Sequence, residues 1–89
     1  MGIAGVKIKI MPDSPEADVQ EIEKNVKEIV ESKGGRNREY EIQPIAFGLN
    51  AVIAFFEISE DVSVEEMEDE IQKMGNISST QVIDMRKIA

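Results

Sequence analysis

The fold of this chain is indicated first by the segment Ala51-Val52-Ile53-Ala54-Phe55-Phe56-Glu57-Ile58. A nearly continuous apolar run of this length is typical of a strand at the centre of a sheet. Because alternate residues of a strand point to opposite faces, one face is expected to collect Val52, Ala54, Phe56 and Ile58. Phe55 and Phe56 are adjacent and cannot both face the core, and the sequence leaves open which of them does.

A helix and a last strand are predicted downstream of this segment. Ser63-Val64-Glu65-Glu66 has the pattern of a capping box, and Val62 and Met67 are placed for a hydrophobic staple. The apolar stripe of this helix consists of Val64, Met67, Ile71 and Met74, and Gly75 ends it. The last strand is predicted from about Ser79 to Ile88, where the pair Val82-Ile83 indicates either a bulge or a change of exposed face.

Upstream, the sequence predicts a strand followed by a helix. Residues 5–10 alternate between apolar residues and lysines, the pattern of a half-buried strand, and Met11-Pro12-Asp13 is expected to end it. Ser14-Pro15-Glu16 then predicts an N-cap and a helix that begins at about Pro15. Its apolar stripe consists of Val19, Ile22, Val26, Ile29 and Val30.

The remaining predicted strand lies between this helix and the central segment. Gly34-Gly35 is expected to end the helix as a C-cap, and a strand follows from about Asn37 to Ile45. Pro44 favours an edge position for this strand, because proline cannot donate a hydrogen bond to a neighbouring strand.

These elements follow the order β-α-β-β-α-β, which is the ferredoxin-like split β-α-β arrangement of the α+β class. Right-handed crossovers in that order predict a four-stranded antiparallel sheet in the order 4-1-3-2, with both helices on one face. The length of 89 residues fits a single domain that covers residues 1–89.

Composition removes several classes of function. A net charge of −8 disfavours direct binding to nucleic acid or to anionic membranes. The chain has no Cys and no His, so thiol and imidazole catalysis and the usual zinc ligands are absent, and neither a metal nor a cofactor is expected. No apolar run is long enough for a membrane span or a signal peptide, which predicts a cytoplasmic protein.

Enzymes and RNA binders with this topology make poor matches to the sequence. Acylphosphatases need a phosphate-binding loop after the first strand, but residues 11–15 contribute two prolines and an aspartate there. An RNA-recognition domain would need several aromatic residues on the open sheet face and a basic balance. The basic segment Gly34-Gly35-Arg36-Asn37-Arg38 is compatible with an anion site or with a helix C-cap followed by a solvated turn.

The turn before the central strand carries the sharpest candidate for a binding site. Phe47 precedes Gly48 in a predicted hairpin connection, where it either projects into solvent or folds back over one end of the core. The candidate partner-binding loop consists of Pro44, Ile45, Ala46, Phe47, Gly48 and Leu49.

This loop, the capped second helix and the basic-hydrophobic C-terminus Asp84-Met85-Arg86-Lys87-Ile88-Ala89 together resemble the archaeal translation elongation factor 1-beta family over almost the whole chain. The resemblance implies a guanine nucleotide exchange factor for the GTPase elongation factor 1-alpha, which performs no covalent chemistry of its own. The chain is expected to be a monomer when free. The resemblance also implies that Phe47 docks into the GTPase and that Lys87 reaches the magnesium and phosphate region. Arg86 is the alternative for the role of Lys87, and Ile88 is a further partner-binding residue.

Two departures from the family pattern affect these roles. Where eukaryotic relatives carry two lysines after the loop, this chain has Asn50 and Ala51, so basic contacts from the loop are in question. Ala89 adds one residue after the terminal hydrophobic position, which leaves Lys87 and Arg86 both open. The alternative from another class is an ACT-like small-ligand regulatory or protein-interaction domain.

Overall fold

A computed structural model describes residues 2–89 as one sheet of four strands covered by two helices. The elements are β1 (Ile3–Pro12), α1 (Val19–Ser32), β2 (Arg36–Pro44), a short 3-10 turn (Ala46–Gly48), β3 (Asn50–Ser59), α2 (Val64–Gln72) and β4 (Ile77–Lys87). The order β-α-β-β-α-β is therefore confirmed.

The sheet is antiparallel, with the strand order β2-β3-β1-β4, which confirms the predicted order 4-1-3-2. β1 and β3 occupy the centre, and β2 lies at an edge, as Pro44 indicated. Both helices pack on one face and leave the opposite face of the sheet open to solvent.

The core lies between this sheet and the two helices. Phe56 is fully buried there, whereas Phe55 lies on the open face, with Lys7 Nζ 5.5 Å from the centre of its ring. The question that the sequence left open is thereby settled in favour of Phe56. The buried apolar residues are Ala4, Val6, Ile8, Ile10, Ile22, Val26, Val30, Val52, Ala54, Phe56, Ile58, Met67 and Ile71.

The predicted start of α1 is wrong by about one turn. The helix begins at Val19 rather than Pro15, and its N-cap is Asp18 rather than Ser14. The Asp18 carboxylate accepts hydrogen bonds from the backbone N–H groups of Gln20 (3.0 Å) and Glu21 (3.2 Å). A carboxylate satisfies two free N–H groups and also faces the positive end of the helix dipole, so it is the stronger cap.

We therefore expect Asp18→Ala to lower the free energy of unfolding by about 1 kcal/mol, because the two helix donors lose their acceptor. Ser14→Ala is the matched control and should change it by less than about 0.5 kcal/mol. Urea denaturation of both variants measures the difference. A larger loss for Ser14→Ala than for Asp18→Ala would restore Ser14 as the cap.

The C-cap of α1 and the N-cap of α2 agree with the sequence, whereas α2 ends at Gln72, before Met74 and Gly75. Gly34 has φ of +78°, and the N–H groups of Gly34 and Gly35 donate to the carbonyls of Glu31 and Val30, which is a Schellman C-cap. At the start of α2, Ser63 Oγ accepts from the Glu66 N–H at 3.3 Å. In the segment Gly34-Gly35-Arg36-Asn37-Arg38, the two glycines thus form a helix C-cap, and strand β2 follows at once from Arg36 in place of a solvated turn.

Two register shifts lengthen and bend the pairing of β1 with β4. Lys7 pairs with Asp84 but Ile8 pairs with Val82, so Ile83 is an extra residue and forms a bulge. A second shift lets β1 continue to Pro12, opposite Ile77, so Met11-Pro12-Asp13 ends the strand later than expected. Of the two possibilities for Val82-Ile83, the bulge is confirmed.

Candidate functional site

The loop between β2 and β3 presents Phe47 to solvent in an unfavourable backbone conformation. Phe47 has φ of +63° and Gly48 has φ of +77°, and the Phe47 side chain is 92% exposed. Left-handed backbone is costly for a bulky residue, and an exposed ring contributes no core packing. The ring does not cover the end of the core. Packing of the folded chain therefore explains neither the unfavourable φ of Phe47 nor the exposure of its ring.

The loop is closed and supported by its neighbours. The Ile45 N–H donates to the Leu49 carbonyl at 2.6 Å, and both side chains are half-buried, while Pro44 and Ala46 are exposed. A Cβ atom on Gly48 would lie 3.7 Å from the Pro15 side chain, which places the loop beside the β1–α1 connection. Phe47 is therefore held out at the tip of a closed turn.

The bulge at Ile83 determines which face each C-terminal side chain occupies. With the extra residue, Arg86 pairs with Gly5 and lies on the open face, whereas Lys87 pairs with Ala4 and lies on the helix side. Without it, regular alternation from Val82 would exchange the two faces. The choice between Lys87 and Arg86 that the sequence left open is therefore a choice between two faces of β4.

The two basic side chains also differ in their partners. Arg86 Nε lies 3.2 Å from Asp84 Oδ2, and its side chain is 79% exposed. Lys87 Nζ lies 3.8 Å from Glu60 Oε1, and its side chain is 71% exposed. The ion pair of Lys87 is the looser of the two, so its ammonium group is the easier one to redirect toward a partner.

The chain end is tied to the start of β1. The Ile88 N–H donates to the Ile3 carbonyl at 2.7 Å, and the Ile3 N–H donates to the Ala89 carbonyl at 2.8 Å. Ile88 also lies across Gly5, where an added Cβ would come within 2.7 Å of Ile88 Cδ1. Ala89 thus extends the pairing with β1 by one residue. This pairing restricts how far the C-terminal tail, residues 84–89, can reach.

The structure does not bring the loop and the tail together. The start of β3 lies opposite the end of β1, whereas Lys87 lies opposite Ala4 near the start of β1. Eight residues of extended strand separate these two points, which is about 27 Å. The candidate site therefore consists of two patches at opposite ends of a molecule whose long axis is 41 Å.

Sequence reasoning missed a depression on the open face. It has a volume of about 350 Å³ and is lined by Gly5, Lys7, Phe55, Asp84, Arg86 and Ile88. The signal that could have found it is the doublet Val82-Ile83, because only a bulge there brings Asp84, Arg86 and Ile88 to the same face as Phe55.

The start of β2 is fixed by a polar contact with α1. The Tyr40 hydroxyl donates to Asn37 Oδ1 at 2.6 Å, and the Asn37 amide donates to the Lys27 carbonyl at 3.2 Å. Burial raises the pKa of the Tyr40 phenol well above its usual value, and Glu23 and Glu31 raise it further, so the hydroxyl remains a donor at neutral pH. Because Asn37 faces the helices, Arg36 is left on the open face.

Residues 2–89 contain neither a cluster of metal ligands nor a membrane-spanning helix. Groups of three or more acidic side chains placed to hold a metal ion do not occur there. None of the helices in that range is long and apolar enough to cross a bilayer.

Comparisons with known proteins give a consistent result. The family model for the EF-1 guanine nucleotide exchange domain matches residues 5–88. A protein named elongation factor 1-beta from Methanococcus aeolicus is 36% identical over 86 residues, which are 96% of this chain and 97% of that protein. A protein of the same name from Methanosarcina acetivorans is 33% identical, and the match covers 99% of this chain and 100% of that protein. Another from Nanoarchaeum equitans is 31% identical, over 85% of this chain and 94% of that protein.

Proposed function

Since this chain belongs to the family of EF-1 guanine nucleotide exchange domains, we propose that it exchanges the nucleotide of elongation factor 1-alpha through the two patches described above. As an exchange factor, it promotes the release of GDP and reloading with GTP. The loop that carries Phe47 supplies the anchor, and the tail that carries Lys87 acts on the nucleotide site. The exposed Phe47 ring at positive φ is the observation on which the anchor depends.

The mechanism is electrostatic. The Lys87 ammonium would repel the magnesium ion that the GTPase uses to hold GDP, and so would weaken the binding of the nucleotide. The factor and GDP are then negatively coupled ligands of one protein, so each lowers the affinity of the other by the same ratio. No bond is made or broken by this chain, and the absence of Cys and His agrees with that role.

The other expectations follow from this role. The chain acts in the cytoplasm, where translation takes place, and it contacts neither nucleic acid nor membrane directly, a view supported by the net charge of −8. It is a monomer when free. An ACT-like ligand-binding domain, the alternative left open by the sequence, finds no support in the family match.

The test is the release of a fluorescent GDP analogue from an archaeal elongation factor 1-alpha, chased with excess unlabelled GDP. Increasing amounts of this protein should accelerate release until the rate saturates. Chelation of magnesium by EDTA, without the factor, provides the positive control that the loaded GTPase can release its nucleotide. If EDTA accelerates release and the folded protein does not, at any concentration, the proposed function is wrong.

A further inference from the structure

The charges of this protein are unevenly divided between its two faces. Of its 18 acidic and 10 basic residues, four acidic and five basic ones lie on the open sheet face, so 14 acidic and five basic ones lie elsewhere. The basic residues of the open face are Lys7, Lys9, Arg36, Arg38 and Arg86, and the acidic ones are Glu39, Glu41, Glu57 and Asp84. A chain that is strongly acidic overall thus has one face on which basic residues are in slight excess, and all three arginines lie there.

Phe55 lies at the centre of this face. Three shallow depressions meet at its ring: one toward β4, one toward Glu39 and Glu41, and one toward Arg36 and Arg38. The ring is half-buried, and Lys7 lies over it. The depressions around the ring are lined by basic and acidic side chains together, and all three arginines are among them. Aromatic residues and arginine are both enriched at protein interfaces.

The position of Phe55 relates it to both patches of the candidate site. The Phe47 loop joins β2 to β3 at one end of the sheet, and the tail leaves β4 at the other end and the other edge. A line between them crosses the sheet diagonally and passes over the pair Lys7–Phe55, which lies midway along β1 and β3. A rigid partner that contacts the Phe47 loop and also the tail residues that face the open side, Arg86 and Ile88, would therefore cover Phe55.

We propose that the open face around Phe55 is a docking surface for elongation factor 1-alpha, which contacts the Phe55 ring and the charged side chains beside it. This proposal rests on the proposed function and adds a third contact to it. The surface consists of Gly5, Lys7, Arg36, Phe55, Arg86 and Ile88, and it is continuous with the tail because Arg86 and Ile88 belong to both. Single-stranded RNA is the weaker candidate, because four carboxylates repel phosphate and this face carries one aromatic ring from the central strands rather than several.

The variants Phe55→Thr and Arg36→Glu test this surface. Each should weaken the affinity for nucleotide-free elongation factor 1-alpha by about tenfold, through loss of the ring or reversal of a charge. The maximal exchange rate at saturating factor should stay near that of the wild type, because Lys87 is untouched. Titration calorimetry gives the affinity, and urea denaturation confirms that both variants fold.

Lys24→Glu is the matched control, since it makes the same change of charge on an exposed residue of α1. If the wild type accelerates GDP release but Phe55→Thr and Arg36→Glu bind as Lys24→Glu does, the surface proposal is wrong while the proposed function stands. A wild type that neither binds nor acts on the GTPase overturns both. Phe55-dependent binding to a fluorescent RNA oligonucleotide, with unchanged affinity for the GTPase, would assign the face to RNA instead.

Discussion

Lys87→Ala is expected to slow factor-stimulated GDP release by about 100-fold at saturating factor. Two unit charges about 6 Å apart repel by roughly 3 kcal/mol at an effective dielectric constant of about 20, which corresponds to about 100-fold in affinity. Because magnesium carries two charges, the repulsion that is lost with Lys87 should be larger than this estimate for two unit charges. Because the Lys87 side chain is 71% exposed and only loosely paired, the urea midpoint should not change.

Arg86→Ala is the natural control for that experiment, because Arg86 is the neighbouring base and lies on the other face of β4. Its loss should lower the affinity for the GTPase and leave the maximal rate of release intact. If Arg86→Ala lowers the maximal rate and Lys87→Ala does not, the exchange-promoting group belongs to the open face. Wild-type rates for both variants would refute a role for the tail.

The sequence predicted the fold because its local signals agree with one another. The capping box at Ser63, the glycines after α1 and the apolar segment of β3 each point to one element, and only one common topology fits their order. The predicted start of α1 is wrong because the chain offers two good N-caps in a row, Ser14 before Pro15-Glu16 and then Asp18. Which of them caps depends on the Asp18 carboxylate reaching two N–H groups, a contact that propensity does not encode.

The candidate site was less predictable, because it depends on how the strands align. The sequence identified Phe47 and the basic tail, but it could not indicate that they lie at opposite ends of the sheet. The position of Arg86 depends on the bulge at Ile83, a register shift of one residue that reverses the face of every side chain after it. The slight excess of basic residues on the open face likewise becomes visible only when residues from all four strands are brought together.

Phe47→Ala is expected to weaken binding to elongation factor 1-alpha by at least about 30-fold, since an aromatic anchor at an interface commonly contributes about 2 kcal/mol or more. Its effect on folding should be small, less than about 0.5 kcal/mol, because the ring is 92% exposed and contributes no core packing. Titration of nucleotide-free GTPase gives the first quantity, and urea denaturation gives the second.

Phe56→Ala provides the comparison within the same chain, because Phe56 is fully buried between sheet and helices. That variant should lose roughly 3–5 kcal/mol of folding free energy, the usual cost of truncating a core phenylalanine. The two phenylalanines should thus separate folding from binding. A stability loss for Phe47→Ala that approaches that of Phe56→Ala, with unchanged affinity for the GTPase, would mean that Phe47 serves the fold, and the loop would no longer qualify as the anchor.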